Sequence, residues 1–98
     1  MSHWLHEAAQ AELGDAAEYY AQHATRVVAE AFLNEFARVL ALLELNQQLG
    51  TPKKQGLRRF PLRRFPYSVL YREDPELGPQ VYAVAHQNRD PDYWHGRF

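Results

Sequence analysis

The first half of the chain carries apolar residues at the spacing of amphipathic helices. They recur every three or four positions along Glu7–Ala24 and, more strongly, along Val27–Leu43. Thr25 stands where the N-cap of the second helix is expected, and Gly50–Pro52 predicts the end of that helix. Because only a short link separates the two patterns, we expect an antiparallel helical hairpin covering Glu7–Leu49.

The second half of the chain changes to the pattern of strands. Leu57–Leu62, Tyr67–Arg72 and Gln80–His86 are rich in Val, Tyr and Phe and are separated by proline-containing segments, so they predict three strands of an antiparallel meander. Pro61 indicates that the first of them is an edge strand or contains a bulge. His3–Leu5 adds a short strand before the helices. The expected fold is therefore α+β in the order β-αα-βββ, with the helical hairpin packed on one face of a small, mainly antiparallel sheet.

Composition narrows the class of protein. A chain of 98 residues with 46% hydrophobic residues predicts one globular domain spanning residues 1–98. The sequence has no cysteine, which excludes disulfides and thiolate nucleophiles. Its five histidines lack the His-x-x-x-His spacing of a helical metal site, so we expect neither a metal nor a cofactor. The acidic N-terminal segment is unlike an export signal, and the apolar runs are too short for a membrane helix, so we expect a cytoplasmic protein.

The formal net charge of -1 conceals an uneven distribution. Residues 1–50 contain seven acids and two arginines, whereas residues 51–72, here called the basic segment, contain no acid. The basic segment holds seven cations: Lys53, Lys54, Arg58, Arg59, Arg63, Arg64 and Arg72. Such a block is either a solvated face or an anion-binding surface. It includes the sequence RRFP twice, at Arg58–Pro61 and at Arg63–Pro66.

Several stretches together resemble the RelE/ParE superfamily of toxins, most closely its ParE branch. GLRRFPLRRFPYSVLYRE at Gly56–Glu73 and AVAHQNRDPDYW at Ala83–Trp94 carry the likeness, and Ala17–Pro52 resembles the family's helical hairpin. The more specific features are a Tyr-x-x-x-Tyr-Arg strand and a His-x-x-Arg-Asp ending, formed by Tyr67, Tyr71, Arg72, His86, Arg89 and Asp90.

This resemblance implies a toxin that is neutralised by a co-encoded antitoxin protein. ParE-like members inhibit DNA gyrase, whereas RelE-like members cut messenger RNA on the ribosome. No membrane partner is expected. On the resemblance, the residues expected to bind the target or its phosphates are Arg59, Arg63, Arg64 and Arg89, with Arg59 and Arg63 placed in the second strand of the β-αα-βββ order.

RNA cleavage without a metal would require a base, an acid and cations around the phosphate. The candidates for that alternative are His86 and Tyr93 as proton-transfer groups and Arg89 as a phosphate-binding cation. Two positions depart from the RelE-like pattern: Ser68 follows Tyr67 where those nucleases usually have arginine, and Pro61 stands where a catalytic lysine is expected. The leading hypothesis is therefore a ParE-like inhibitor of gyrase. The alternatives are a RelE-like nuclease and a family member that binds partners without toxicity.

Other residues of the same elements also have structural explanations. Helical spacing predicts that the aromatic residues Tyr19, Tyr20, Phe32 and Phe36 lie in the core. Arg58 and Arg64 are expected to be solvated. Trp94 is either a recognition residue or packs the C-terminal segment onto the sheet.

Overall fold

The computed structural model describes residues 4–89 and 93–97 and contains two helices and a five-stranded sheet. The helices are α1 (Glu7–His23) and α2 (Arg26–Leu45). The strands are β1 (Trp4–Leu5), β2 (Thr51–Pro52), β3 (Leu57–Pro61), β4 (Tyr67–Arg72) and β5 (Gln80–His86). Single 3₁₀ turns occupy Gln47–Leu49, Lys54–Gly56 and His95–Arg97. The expected α+β fold is confirmed; His3, expected in β1, lies outside the described residues.

The sheet has the strand order β1-β5-β4-β3-β2, with β1 parallel to β5 and the other pairs antiparallel. β2 is an addition to the predicted elements, because a two-residue strand is too short to show a period. It pairs with Arg58 and Arg59. Pro61 lies past that pairing at the end of β3, the edge position that tolerates proline. The irregularity in the register lies elsewhere, where the pairing of Leu70 and Tyr71 with β5 skips Tyr82.

Side-chain caps define the helical hairpin. The backbone amide of Val28 donates to the hydroxyl of Thr25 at 3.1 Å, as expected for the N-cap of α2. α2 ends at Leu45, before the predicted end of the hairpin at Leu49, and Asn46 then begins a 3₁₀ turn by accepting from the amide of Gln48. α2 ends about one turn earlier than the Gly50–Pro52 signal predicts, since Asn46 offers the backbone a competing local hydrogen bond.

The main core lies between the helices and one face of the sheet. Its side chains include Phe32, Phe36, Val39 and Leu43 from α2, with Val69, Tyr71, Val81 and Val84 from the central strands. Burying one such side chain stabilises a protein by about 1.5–3 kcal/mol. Tyr19 does not join this core: it is 54% exposed and stacks on His23, because it lies just outside the apolar stripe of α1.

A smaller apolar cluster covers the opposite, outer face of the sheet. It combines Leu57, Leu70, Ala83 and Ala85 with Trp94 from the C-terminal segment. The indole of Trp94 is buried, so this residue packs the C-terminal segment against the strands. The sheet thus has helices on one face and its own C-terminal segment on part of the other.

Candidate partner-binding surface

A cavity of about 360 Å³ opens on the outer face of the sheet. Its apolar wall is formed by Leu57, Leu70, Ala85 and Trp94, and its polar lining includes Lys53, Lys54, Arg59, Ser68, His86, Gln87 and Arg89. None of the described residues that line it is a carboxylate. The cavity is therefore an apolar depression surrounded by cations, which suits an anionic ligand that also has an apolar part.

Strand alternation brings these side chains to one face. Arg59 lies opposite Leu70 across the pairing of β3 with β4, and Ser68 lies opposite Ala85 across the pairing of β4 with β5. Lys53 is held beside them because its backbone amide donates to the carbonyl oxygen of Leu57 at 2.7 Å. The sheet therefore sets the position of the arginine, and the turn after β2 sets that of the lysines.

Ser68 occupies the place where RelE-like nucleases usually have arginine. Its side chain is 2% exposed, and its hydroxyl has no hydrogen-bond partner among residues 4–89 and 93–97. A buried hydroxyl without a partner costs about 1–3 kcal/mol. Ser68 thus leaves a small polar group, and no cation, in this part of the cavity lining.

His86 lines the same cavity, but its hydrogen bond limits its chemistry. The backbone amide of Asn88 donates to Nδ1 of His86 at 3.0 Å. In a neutral ring the proton then resides on Nε2. Neutral His86 in this arrangement can donate a hydrogen bond through Nε2 and has no free lone pair there with which to act as a base. Its ring also contacts Tyr67 edge-on, with centroids 5.0 Å apart.

Tyr93 does not line the cavity. Its ring lies between two guanidinium groups, 4.1 Å from that of Arg89 and 5.0 Å from that of Arg97. Burial and the nearby carboxylate of Glu12 raise the pKa of the Tyr93 hydroxyl. The structure therefore brings Arg89 to both Tyr93 and the cavity, whereas Tyr93 is not among the described residues that line the cavity with His86.

Glu12 and Arg97 form the ion pair beneath Tyr93. Arg97 donates to both carboxylate oxygens of Glu12, at 2.8 and 3.0 Å, and also to the carbonyl oxygen of Tyr82. The amide of Val84 donates to the same carboxylate at 3.0 Å. Burial raises the pKa of Glu12, but the hydrogen bonds from Arg97 and its neighbours outweigh burial and leave this pKa lowered. The pair anchors the C-terminal segment to α1 and β5.

Arg63 and Arg64 lie apart from the cavity, on the turn of residues 62–66 that joins β3 to β4. The placement of Arg63 in a strand was wrong, because the chain reverses after Pro61. The amide of Arg63 donates to the carboxylate of Glu35 in α2 at 2.7 Å. Both arginine side chains are exposed. The four arginines expected to bind the target are thus divided into Arg59 and Arg89 at the cavity and Arg63 and Arg64 on the turn.

Arg58 is not solvated, contrary to the sequence-based expectation. Its guanidinium donates to Glu73 at 2.6 Å and to the carbonyl oxygens of Gly50 and Gln48 at 2.7 and 3.2 Å. The partner Glu73 lies just outside the basic segment, so the absence of acids within that segment was a poor guide to pairing. Arg72 likewise donates to the carbonyl oxygen of Gln55. Arg64 is exposed, as expected.

Lys53 and Lys54 belong to one site with Arg59 and Arg89, which the sequence did not predict. Their charge was visible, but no short motif joins residues that lie more than thirty positions apart. Finding them required the two-residue strand β2, which turns the chain back along β3 and is too short to be recognised from the sequence.

The family of the chain follows from a comparison with family models. The model for the ParE toxin of the type II toxin-antitoxin system parDE matches residues 5–91. This chain belongs to the ParE toxin family. Membership implies an antitoxin partner. A search of curated proteins finds no significant match to this ParE-family chain.

A solved structure described as the chromosomal ParDE TA system from P. aeruginosa has a similar fold. The TM-score is 0.73 at 21% sequence identity, with 88% of this chain and 95% of the other covered. At this identity the likeness concerns the fold. No helix in the described part of the ParE-family chain is long and apolar enough to cross a membrane.

Proposed function

We propose that this ParE-family toxin acts in the cytoplasm by binding and inhibiting DNA gyrase, and that a co-encoded antitoxin silences it. The proposal rests on family membership and on the distribution of cations. Arg59 and Arg89 at the cavity, together with Arg63 and Arg64 on the turn, are the residues proposed to contact the target. Arginine suits this role because its planar fork binds carboxylates and phosphates through paired hydrogen bonds.

One observation favours inhibition by binding over RNA cleavage: of the two proton-transfer candidates only His86 lines the cavity, and its Nδ1 already accepts a hydrogen bond. Metal-free cleavage requires a base near the attacking hydroxyl and an acid near the leaving oxygen. His86 uses the lone pair of Nδ1 for the amide of Asn88, and Tyr93 lies beside Glu12 and is not among the described residues that line the cavity. The described residues of the cavity lining therefore offer cations to bind an anion, but they do not offer a general base together with a general acid.

A ribosome-dependent endoribonuclease is the second candidate. Arg59, His86 and Arg89 line one cavity, and together they would provide two phosphate-binding cations and one hydrogen-bond donor. Against this stands Ser68, which supplies no charge where RelE-like nucleases usually have arginine. Loss of one group that stabilises developing charge costs about 3–4 kcal/mol of transition-state stabilisation in other enzymes.

A paired experiment separates the two functions. Purified protein is tested in a gyrase supercoiling assay, and messenger RNA is examined by primer extension after induction in cells. We expect inhibited supercoiling and no new messenger RNA ends. Arg63→Glu should abolish inhibition while shifting the free energy of unfolding by under about 0.5 kcal/mol, as at other exposed sites. Arg26→Glu, the same charge reversal at an exposed residue of α2, is the matched control and should remain active.

Two results would contradict the proposal. Full inhibition of supercoiling by soluble Arg63→Glu would show that the turn is not part of the surface that binds the target. If the native chain cleaves messenger RNA and His86→Ala does not, the function is RNA cleavage and not the inhibition of gyrase.

The proposed antitoxin contact follows from the same chemistry. An acidic segment with apolar side chains would pair with Arg59, Lys53 and Lys54 and place an apolar group against Leu70 and Trp94. We expect such a segment, the C-terminal half of the antitoxin, to cross the strand surface near Arg59–Arg64. Hydrogen exchange on the co-expressed complex tests this placement. Slower exchange should appear in β3 and the following turn, and unchanged exchange there would rule the placement out.

A further inference from the structure

The turn that carries Arg63 and Arg64 is anchored at several points. Leu62 is buried, and its amide donates to the carbonyl oxygen of Tyr67 at 2.9 Å. Phe65 packs its ring against Tyr20, with centroids 5.3 Å apart, and against Phe32 at the same separation. These contacts fix the ends of the turn, while the two arginines between them are exposed.

Glu35 of α2 holds the exposed part of this turn. Its Oε2 accepts from the backbone amide of Arg63 at 2.7 Å. Its two oxygens also accept from Nε and Nη2 of Arg38, both at 2.7 Å, which fixes the orientation of the carboxylate. The Glu35 side chain is 11% exposed, against 34% for that of Arg38. The carboxylate is thus held by its own helix in the position that the Arg63 amide requires.

Arg64 gives the reason why such an anchor is needed. Its φ is +69°, in the left-handed region that residues with a Cβ enter at a cost. Residues other than glycine keep this conformation only where their surroundings impose it. The Glu35 contact acts on the residue immediately before Arg64, so it is well placed to impose the strained conformation.

We propose that Glu35 is a positioning residue for partner binding, which fixes the Arg63–Arg64 turn so that both guanidiniums are presented together. This inference rests on the proposed function, in which those arginines contact the partner. Glu35 itself touches no partner and acts through the backbone of Arg63. The native toxin therefore binds with a turn that is already ordered, and so loses less conformational entropy on association.

Titration gives a signature specific to this contact. The hydrogen bonds from Arg38 lower the pKa of Glu35 below its ordinary value of 4.5, burial opposes them, and the amide of Arg63 and the positive charges of Arg38 and Arg63 lower the pKa further. A depressed carboxylate pKa means that the contact is intact above pH 4.5 and is lost as the pH falls through the lower, folded-state value. The NMR shift of the Arg63 amide should follow that titration in the native chain.

The experiment combines this titration with partner binding in the full chain. Glu35→Gln keeps an oxygen acceptor and should retain most activity while the titration of the Arg63 amide disappears. Glu35→Ala removes the acceptor, so exchange of the Arg63 amide should rise about tenfold or more, as expected on losing a hydrogen bond to a charged group. Gyrase inhibition by Glu35→Ala should fall toward that of Arg63→Glu. Glu30→Ala, at an exposed glutamate of the same helix, is the control for exchange and activity.

The outcomes separate this proposal from the proposed function. If Arg63→Glu is inactive but Glu35→Ala inhibits like the native chain, the positioning role is wrong and the proposed surface stands. An Arg63 amide that shows no titration below pH 4.5 also overturns the positioning role. If Arg63→Glu is fully active, the turn is not part of the target surface and the proposed function is wrong on this point, whether or not the Arg63 amide titrates. Loss of activity in Glu35→Ala, with recovery in Glu35→Gln and a titrating native amide, supports the proposal.

Discussion

The two RRFP copies, Arg58–Pro61 and Arg63–Pro66, have the same side chains and different structures. The first copy is part of β3, where adjacent arginines point to opposite faces. Arg58 pairs with Glu73, and Arg59 lines the outer cavity. The second copy forms a turn, and both of its arginines are exposed. Identical sequences thus give one structural arginine, one arginine at the cavity and two on the turn.

The difference arises from the neighbours of each copy. β4 lies along the first copy, and β2 pairs with its two arginines, so the chain is held extended. The second copy has no strand partner within the described chain, and the amide of Arg63 is instead held by Glu35. Its phenylalanine still enters the main core, as Phe65 packs on Tyr20. The RRFP sequence therefore determines only which side chain of the segment is apolar. Contacts with distant residues determine whether the segment forms a strand or a turn.

Removing the apolar anchor of the second copy should have the largest effect on stability. Phe65→Ala deletes a ring that contacts Tyr20 and Phe32. Because Phe65 is only partly buried, we expect a loss of about 2–3 kcal/mol, less than the 3–5 typical of a fully buried phenylalanine. Urea unfolding measures this loss, and Phe65→Leu should restore most of it. A loss near zero would mean that Leu62 and Glu35 hold the turn without Phe65.

A smaller loss of stability is expected on replacing Arg58, the structural arginine of the first copy. Arg58→Met keeps an apolar stem but leaves Glu73 and the carbonyl oxygen of Gly50 without their donor. We expect a loss of about 1–2 kcal/mol, since hydrogen bonds to charged groups exceed the usual net value. Arg64→Met is the matched control on the second copy and should change stability by under about 0.5 kcal/mol. Equal losses for both variants in thermal unfolding would contradict the contrast between the copies.

The smallest effect concerns the backbone of the second copy. Arg64→Gly removes the Cβ that disfavours a φ of +69° but increases the freedom of the unfolded chain. The two contributions oppose each other, and we expect a net gain of under about 1 kcal/mol. Arg64→Ala keeps the Cβ and should give no gain, which makes it the control. A glycine variant less stable than the alanine variant would show that this turn is not strained.

The elements with a regular pattern were predictable from the sequence, and those that depend on distant partners were not. α1 and the last two strands lie where the apolar period placed them, because each is long enough to show that period. β2 is too short to show one. Arg58 was expected in solvent because its partner Glu73 lies fifteen residues away, outside the basic segment.

The candidate site was less predictable than the fold. Its charges were visible as the basic segment, but the cavity joins residues from Lys53 to Trp94 across three strands and the C-terminal segment. The division of the four expected arginines between the cavity and the turn depends on where the chain reverses after Pro61. That reversal is fixed by Glu35 and Phe65, whose role in it no local motif reveals.

The ion pair of Glu12 with Arg97 has a consequence for self-association. β1 pairs only with Gln80 and Val81 of β5, so the rest of β5 would otherwise present free backbone groups at a sheet edge, where strands of other molecules can add. Two of these groups, the amide of Val84 and the carbonyl oxygen of Tyr82, are already bonded to Glu12 and Arg97. A strand from a second molecule would have to separate this pair before it could bond there. The two side chains thus protect the edge of β5 from aggregation.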